Sequence, residues 1–411
     1  MSTSSLLDRA AFWCAFSSAV AALVSIAASQ ILLGLAFALL LMSGTRLRLP
    51  PVWLPLALFM TGTLVSWLAS GDVAAGRPQI RKFFVYLTLP VIFSLFREVK
   101  DARRLVLAWA GVGALAAARG LAQFWNTFEA ASRQGRSFYE YYVAERISGF
   151  MSHHMTFGGT LMIALVMLGA FLLFAPSARG KRLCLGVLAG GVLSLALLAG
   201  FTRSVWLASA AAALYLVWSW KRLLLVAVPV LAAAVLWLGP SWMRSRVVSS
   251  FEPHGQLDSN QHRIVCWRTG WRMIQARPLL GVGPERVQAR LVEYVPPDVP
   301  RPLPEGWYGH LHSIYVHYAA ERGVPTMLML VWFLAQAVWD FGRVLRRLPA
   351  GRSDEKFLLH GAIAVVLAVA VAGVFELNLG DSEVLAMFLA VVACGYLAAA
   401  RSLEPAPAGG V

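Results

Sequence analysis

The residues best equipped for chemistry cluster late in the chain. Of eight histidines, His153 and His154 precede one apolar segment. His310, His312 and His317 precede or open another, in the run Gly309-His310-Leu311-His312-Ser313-Ile314-Tyr315-Val316-His317. A histidine at a membrane surface can act as a general base, because its reference pKa lies near neutrality; the plain alternative is an interfacial histidine satisfied by its neighbours. Around this cluster, residues 240–317 hold nine arginines and no lysine: Arg244, Arg246, Arg263, Arg268, Arg272, Arg277, Arg286, Arg290 and Arg301. Arg203 stands at the head of an apolar segment, Arg81 and Lys82 open another, and Arg133, Arg136 and Arg146 lie between segments. Guanidinium presents a planar fork that pairs two oxygens at once, so an all-arginine set suggests phosphate oxygens, such as those of a diphosphate. For most of these arginines the alternative is solvated loop charge.

Other chemistries find less support. His310 and His312 are two apart and would not share a helix face. No Asp-x-Asp occurs, and no Cys/His spacing resembles a zinc site, so neither a metal nor another cofactor is expected. Cys14, Cys184, Cys266 and Cys394 are scattered and imply no disulfide framework. Glu376, Asp381 and Glu383 sit at one turn, and Glu321 falls one turn after His317; these carboxylates read as structural groups or local charge partners.

The elements that must position these groups are apolar. The 411 residues are 58% hydrophobic and 14% charged, with a mean hydropathy of +0.65, whereas soluble domains carry about 25% charge. Soluble globular, disordered, collagenous and disulfide-framework proteins are excluded, and the long apolar runs argue against a membrane β-barrel. Twelve apolar segments lie near 11–28, 29–44, 51–69, 80–97, 104–126, 154–175, 183–200, 203–219, 222–239, 318–342, 357–376 and 383–400. Segments crossing lipid must pair their own backbone groups, which makes them helices. The expected fold is an all-α polytopic membrane protein with about 12 transmembrane helices and a large periplasmic loop region before the tenth.

The net charge of +15 comes from 36 basic and 21 acidic residues. Basic cytoplasmic loops explain it better than nucleic acid does. With the N-terminus in the cytoplasm, every cytoplasmic loop is basic: Arg9, Arg46, Arg97, Lys100, Lys181, Lys221, Arg343 and Arg401 all fall there. Both termini are then cytoplasmic. The organisation reads as 1–239 (nine spans, with a short outer loop near 127–153), 240–317 (the large outer loop) and 318–411 (three spans and a tail). Within the loop, Asp258 or Ser259 could cap a helix over 261–276 that Pro278 and Gly281-Val282-Gly283 end. Arg263, Trp267 and Trp271 share one face of it, and Arg268 and Arg272 a neighbouring one. Such a face suits the lipid interface or a lipid-linked sugar, or else simple packing of the two tryptophans.

Four pieces together resemble the bacterial O-antigen ligases, within the wider O-antigen polymerase/ligase family. They are Arg263-x-x-x-Trp267 followed by Pro278-Leu279-Leu280-Gly281-Val282-Gly283; His312-Ser313 followed by Ala320-Glu321-Arg322-Gly323-Val324-Pro325; Thr202-Arg203-Ser204; and Arg146-Ile147-Ser148-Gly149-Phe150. The resemblance implies a metal-independent, inverting glycosyltransferase of the bacterial inner membrane with a periplasmic active site. It would move O-antigen glycan from undecaprenyl diphosphate to a sugar hydroxyl of lipid A–core, among membrane lipids and without nucleic acid. His312 matches the family's essential histidine, and Arg203 and Arg263 its essential arginines. Arg146, Arg81, Lys82, His310, Arg268 and Trp267 are secondary candidates. The sequence departs from the family's usual pattern at Arg322 and at His153-His154. An O-antigen polymerase is the nearest alternative. A lipid-linked glycan transporter is the alternative of another class, but no internal inverted repeat is evident.

Overall fold

The structure, a computed structural model, describes residues 3–135, 138, 141–142, 145–238, 244, 259–304, 306–307 and 309–403. Among these residues every regular element is a helix. Helices α1 (Thr3–Ala21) and α2 (Ile26–Met42) form a hairpin, whose turn is set by Ser25 accepting from the Ala28 N–H at 3.4 Å. Next come α3 (Trp53–Ala69) and three short pieces, α4 (Val73–Arg81), α5 (Phe83–Tyr86) and α6 (Thr88–Leu95). Helix α7 (Val99–Arg133) opens on a capping box between Glu98 and Asp101 and runs for 35 residues, roughly 50 Å. It is followed by α8 (His154–Phe174), α9 (Gly180–Ala199), α10 (Arg203–Lys221), a 3-10 turn at Arg222–Val226 and α11 (Ala227–Leu238). Then come α12 (Ser259–Ala276), α13 (Val287–Tyr294), α14 (Ile314–Arg322), α15 (Val324–Leu345), α16 (Asp354–Phe375), a 3-10 turn at Asn378–Gly380 and α17 (Ser382–Leu403).

Six helices, α7, α8, α9, α15, α16 and α17, are long and apolar enough to cross a membrane; α2 and α3 are shorter apolar helices. Among the described residues the protein is all-helical, with the long apolar helices of a membrane protein. Three of the apolar segments do not form single spans. Segment 80–97 is broken because Pro90 has no N–H and crowds the carbonyl four residues back, at Tyr86, where α5 ends. Segment 222–239 divides into the 3-10 turn and the twelve residues of α11. Segment 318–342 divides at Gly323 into α14 and α15. Conversely, α7 continues through 127–133, which the sequence had placed in a loop. The proposed Asp258 cap, Arg136 and Arg246 lie outside the described residues.

Helices α8, α16 and α17 are apolar on every side and form the centre of the bundle. Peripheral helices bury one face and expose leucines on the other, such as Leu185, Leu188 and Leu195 of α9. A second, smaller apolar core joins α12, α13 and α14 through Cys266, Met273, Val287, Leu291, Leu311 and Ala320. It forms a cap on one end of the bundle. At the other end, Arg97 pairs with Asp8 at 2.9 Å and Arg103 with Asp354 at 2.5 Å.

The break at Gly323 ties the cap to the bundle. Gly323 has φ +89, and a Cβ there would run into the backbone of Leu279. The Val324 N–H donates to the Pro278 carbonyl at 2.8 Å; the N–H groups of Val282 and Gly283 donate to the carbonyls of Ala320 and Glu321, each at 2.9 Å. At Gly281, φ +66, a Cβ would collide with Glu321. The two glycine-containing motifs are thus halves of one backbone junction. Ser66 of α3 fixes it further, donating to the Leu280 carbonyl at 2.7 Å.

Candidate active site

The carboxylate of Glu376, just past the end of α16, lies at the centre of a polar cluster at the capped end of the bundle. Its Oε1 accepts from Arg263 Nη2 at 2.7 Å and from Ser204 Oγ at 3.3 Å; its Oε2 faces His312 Nδ1 at 3.4 Å. Glu376 and His312 are both nearly buried, with side chains 6% and 15% exposed. Burial opposes ionisation of Glu376, but the hydrogen bond with His312 and the positive charge of Arg263 prevail and hold its pKa well below the usual carboxylate range. An ionised carboxylate only accepts, so in the neutral ring His312 Nδ1 carries the hydrogen and Nε2 keeps the lone pair.

Local structure explains how each group arrives. His312 lies one residue before Ser313, whose hydroxyl caps α14 by accepting from the Val316 N–H at 3.4 Å. The turn into that cap requires φ +48 at His312, a left-handed conformation in which His is enriched several-fold among non-glycine residues. Three neighbours hold it: its N–H donates to His310 Nδ1 at 3.4 Å, its carbonyl accepts from Trp267 Nε1 at 3.3 Å, and the His262 ring meets it edge-on at 4.8 Å. Arg203 is the first residue of α10 and donates to Asn260 Oδ1 at 3.0 Å. The block containing Arg146 is clamped by Gln123 of α7, whose Oε1 accepts from the N–H groups of Ser148 and Gly149 at 3.1 and 2.9 Å.

These groups line one cavity of about 170 Å³, walled by Arg146, Met155, Thr202, Arg203, His262, Arg263, His312 and Glu376. Among the described residues three guanidiniums and one carboxylate line the pocket, a balance that suits an anion. Burial, reinforced by His312 and Arg263, pushes His262 down to about 4, so it is neutral at pH 7. Its Nε2 is buried without a hydrogen-bond partner among the described residues. The cavity adjoins a larger one of about 490 Å³ that shares Arg203 and Arg263 and adds Leu207, Ile264, Trp267 and Phe375. Leu207 and Ile264 are about half exposed, so this second chamber opens on the apolar flank between α10 and α12.

The structure therefore brings Arg203, Arg263, His312 and Arg146 to one pocket, with Trp267 and His310 in contact with the His312 backbone. Arg268 is elsewhere: it forms a two-pronged pair with Asp298 at 2.7 and 2.8 Å on the outer face of α12. Arg81 is exposed at the end of α4, and Lys82 faces a separate cavity. The shared face expected for Arg263, Trp267 and Trp271 holds only in part, because Trp271 is 59% exposed. Sequence reasoning set Glu376 aside as a local charge partner without showing that its partners are Arg263 and His312. His262 was missed entirely; its place one residue before Arg263 was the available signal. Among the described residues, no group of three His, Cys, Asp or Glu side chains could hold a metal ion.

A multi-pass helical membrane protein with a cationic, histidine-containing pocket at one end of its bundle is the class that fold and site define. The family described as O-antigen ligase matches residues 187–331, and over that stretch the chain carries the family's domain. The match spans Arg203, Arg263 and His312 and ends before Glu376. Members of that family are O-antigen ligases or polymerases, enzymes of the glycosyltransferase type. A comparison with curated proteins gives no match.

Proposed function

We propose that the protein is an inverting, metal-independent O-antigen ligase of the bacterial inner membrane. It transfers glycan from undecaprenyl diphosphate to a sugar hydroxyl of lipid A–core at the periplasmic face. The observation that carries this reading is the placement of the His312 imidazole beside three guanidiniums, with Glu376 bonded to both His312 and Arg263. The basic clamp of Arg97 and Arg103 lies at the opposite end of the bundle, which supports a periplasmic site under the positive-inside rule.

In this mechanism the donor's diphosphate sits against Arg203, Arg263 and Arg146, and its polyprenyl tail leaves along the apolar chamber past Leu207 and Ile264. His312 Nε2 takes the proton of the acceptor hydroxyl. The acceptor oxygen bonds to C1 of the donor sugar as the C1–O bond to phosphate breaks. That electron pair stays on undecaprenyl diphosphate, where guanidiniums already in place stabilise the growing charge. Attack opposite the leaving group inverts the anomeric centre. Glu376 orients the imidazole through Nδ1 and stabilises it when protonated.

The test is transfer by purified protein from undecaprenyl-diphosphate-linked glycan to lipid A–core. Glycan appearing on lipid A–core supports the reading. Elongation of the lipid-linked chain alone would make the protein a polymerase, and no product would remove the enzymatic reading.

A further inference from the structure

A second polar cavity, of about 290 Å³, lies beyond His310. Its floor is the pair Glu321 and Arg322, joined at 2.8 Å, with Arg322 stacked 4.2 Å from the Tyr318 ring. The Glu285 N–H donates to Glu321 Oε1 at 2.8 Å, which leaves the Glu285 carboxylate at the rim, 3.9 Å from Lys82. Gln288 of α13 and Asp381 complete the opening. Among the described residues the charge balance is the reverse of the arginine pocket: three carboxylates, Glu285, Glu321 and Asp381, stand against two cations, Lys82 and Arg322. A diphosphate would be repelled. A neutral polyhydroxylated ring would find carboxylate acceptors for its hydroxyl protons and an ammonium and amide donor for its oxygens.

A third cavity lies between the two pockets. This cavity, of about 60 Å³, shares Thr202, Met155 and Glu376 with the arginine pocket, and His310, Leu377 and Asp381 with the acidic cavity. The acidic cavity therefore neighbours the arginine pocket, with His310 and Glu376 on the walls between them. We infer that the cavity bounded by Lys82, Glu285, Gln288 and Asp381 binds the terminal sugar of the acceptor through its hydroxyls, separately from the diphosphate of the donor. This inference rests on the proposed transfer reaction, whose acceptor it locates.

Binding to the full-length protein in detergent tests it, with lipid A–core and the undecaprenyl-diphosphate-linked donor titrated separately. Glu285→Gln removes a rim carboxylate, and Gln288→Trp fills the opening from an exposed position that the cores do not use. Both are expected to weaken the Kd for lipid A–core about tenfold or more, Glu285→Gln by the loss of roughly one charge-assisted hydrogen bond and Gln288→Trp by blocking the opening, and to leave the donor Kd within about twofold. If wild-type protein binds lipid A–core and both variants bind it equally well, or lose the donor instead, the acidic cavity is not the acceptor subsite while the ligase reading stands. If wild-type protein does not bind lipid A–core, both fail.

Discussion

Glu376 and His312 are 64 positions apart, yet the carboxylate Oε2 lies 3.4 Å from the imidazole Nδ1. The same carboxylate accepts from Arg263 at 2.7 Å through its other oxygen. One acidic side chain therefore couples the proposed base to the proposed diphosphate clamp, and its substitution should disturb both.

Glu376→Gln keeps the shape but loses the charge, and its amide can offer Nδ1 a donor instead of an acceptor, favouring the wrong tautomer. The expected loss in kcat is about 10²-fold or more, with the melting temperature of the purified protein little changed. Glu376→Asp should retain part of the rate. Full kcat in Glu376→Gln would mean that the carboxylate only packs the site.

Arg263 bonds Glu376 through Nη2 and the Phe375 carbonyl through Nε, at 2.7 and 3.3 Å. Lysine keeps the charge and loses this fork. Arg263→Lys is expected to lower kcat/KM for the donor about tenfold or more. Wild-type kinetics in that variant would show that charge alone suffices.

The candidate site was partly legible in the sequence. Arg203, Arg263 and His312 carry motif neighbours, so residue type and order point to them. Glu376 has none: its importance lies in partners 113 and 64 positions away, and only the folding of α16 against α12 and α14 shows them. Arg268 lies outside the pocket, because spacing places it on α12 but cannot reveal Asp298 across from it. The fold was legible where apolar runs are long, as in α8, α16 and α17. It was not where a single backbone constraint interrupts a run, as Pro90 and Gly323 do.

Gly323→Ala places a Cβ against Leu279 at a residue with φ +89. The strain should destabilise the protein by about 1–3 kcal/mol and loosen the cap, read as a lower melting temperature. An unchanged melting temperature would show that the junction is not under this constraint.

His262 is pushed down to about 4 and His310 to about 3, mainly by burial. An unfolded chain protonates both near pH 6.5, so it binds more protons than the folded one below that pH. Stability is therefore full above about pH 6.5 and is lost as pH falls towards 4, by up to about 1.4 kcal/mol per pH unit for each histidine. A melting temperature that falls between pH 6.5 and 5, with a shallower slope in His262→Gln, is the expected result. A flat profile would contradict it.

If guanidiniums supply the charge stabilisation, EDTA should leave transfer unchanged. Loss of activity in EDTA with recovery on adding Mg²⁺ or Mn²⁺ would overturn the arginine account.

The most direct test is the rate of glycan transfer to lipid A–core by His312→Asn. Asparagine tolerates the left-handed backbone at this position but cannot take up the proton. The account predicts a folded protein with wild-type melting temperature and transfer reduced by about 10²–10⁴-fold. Transfer at the wild-type rate by that folded variant would contradict it.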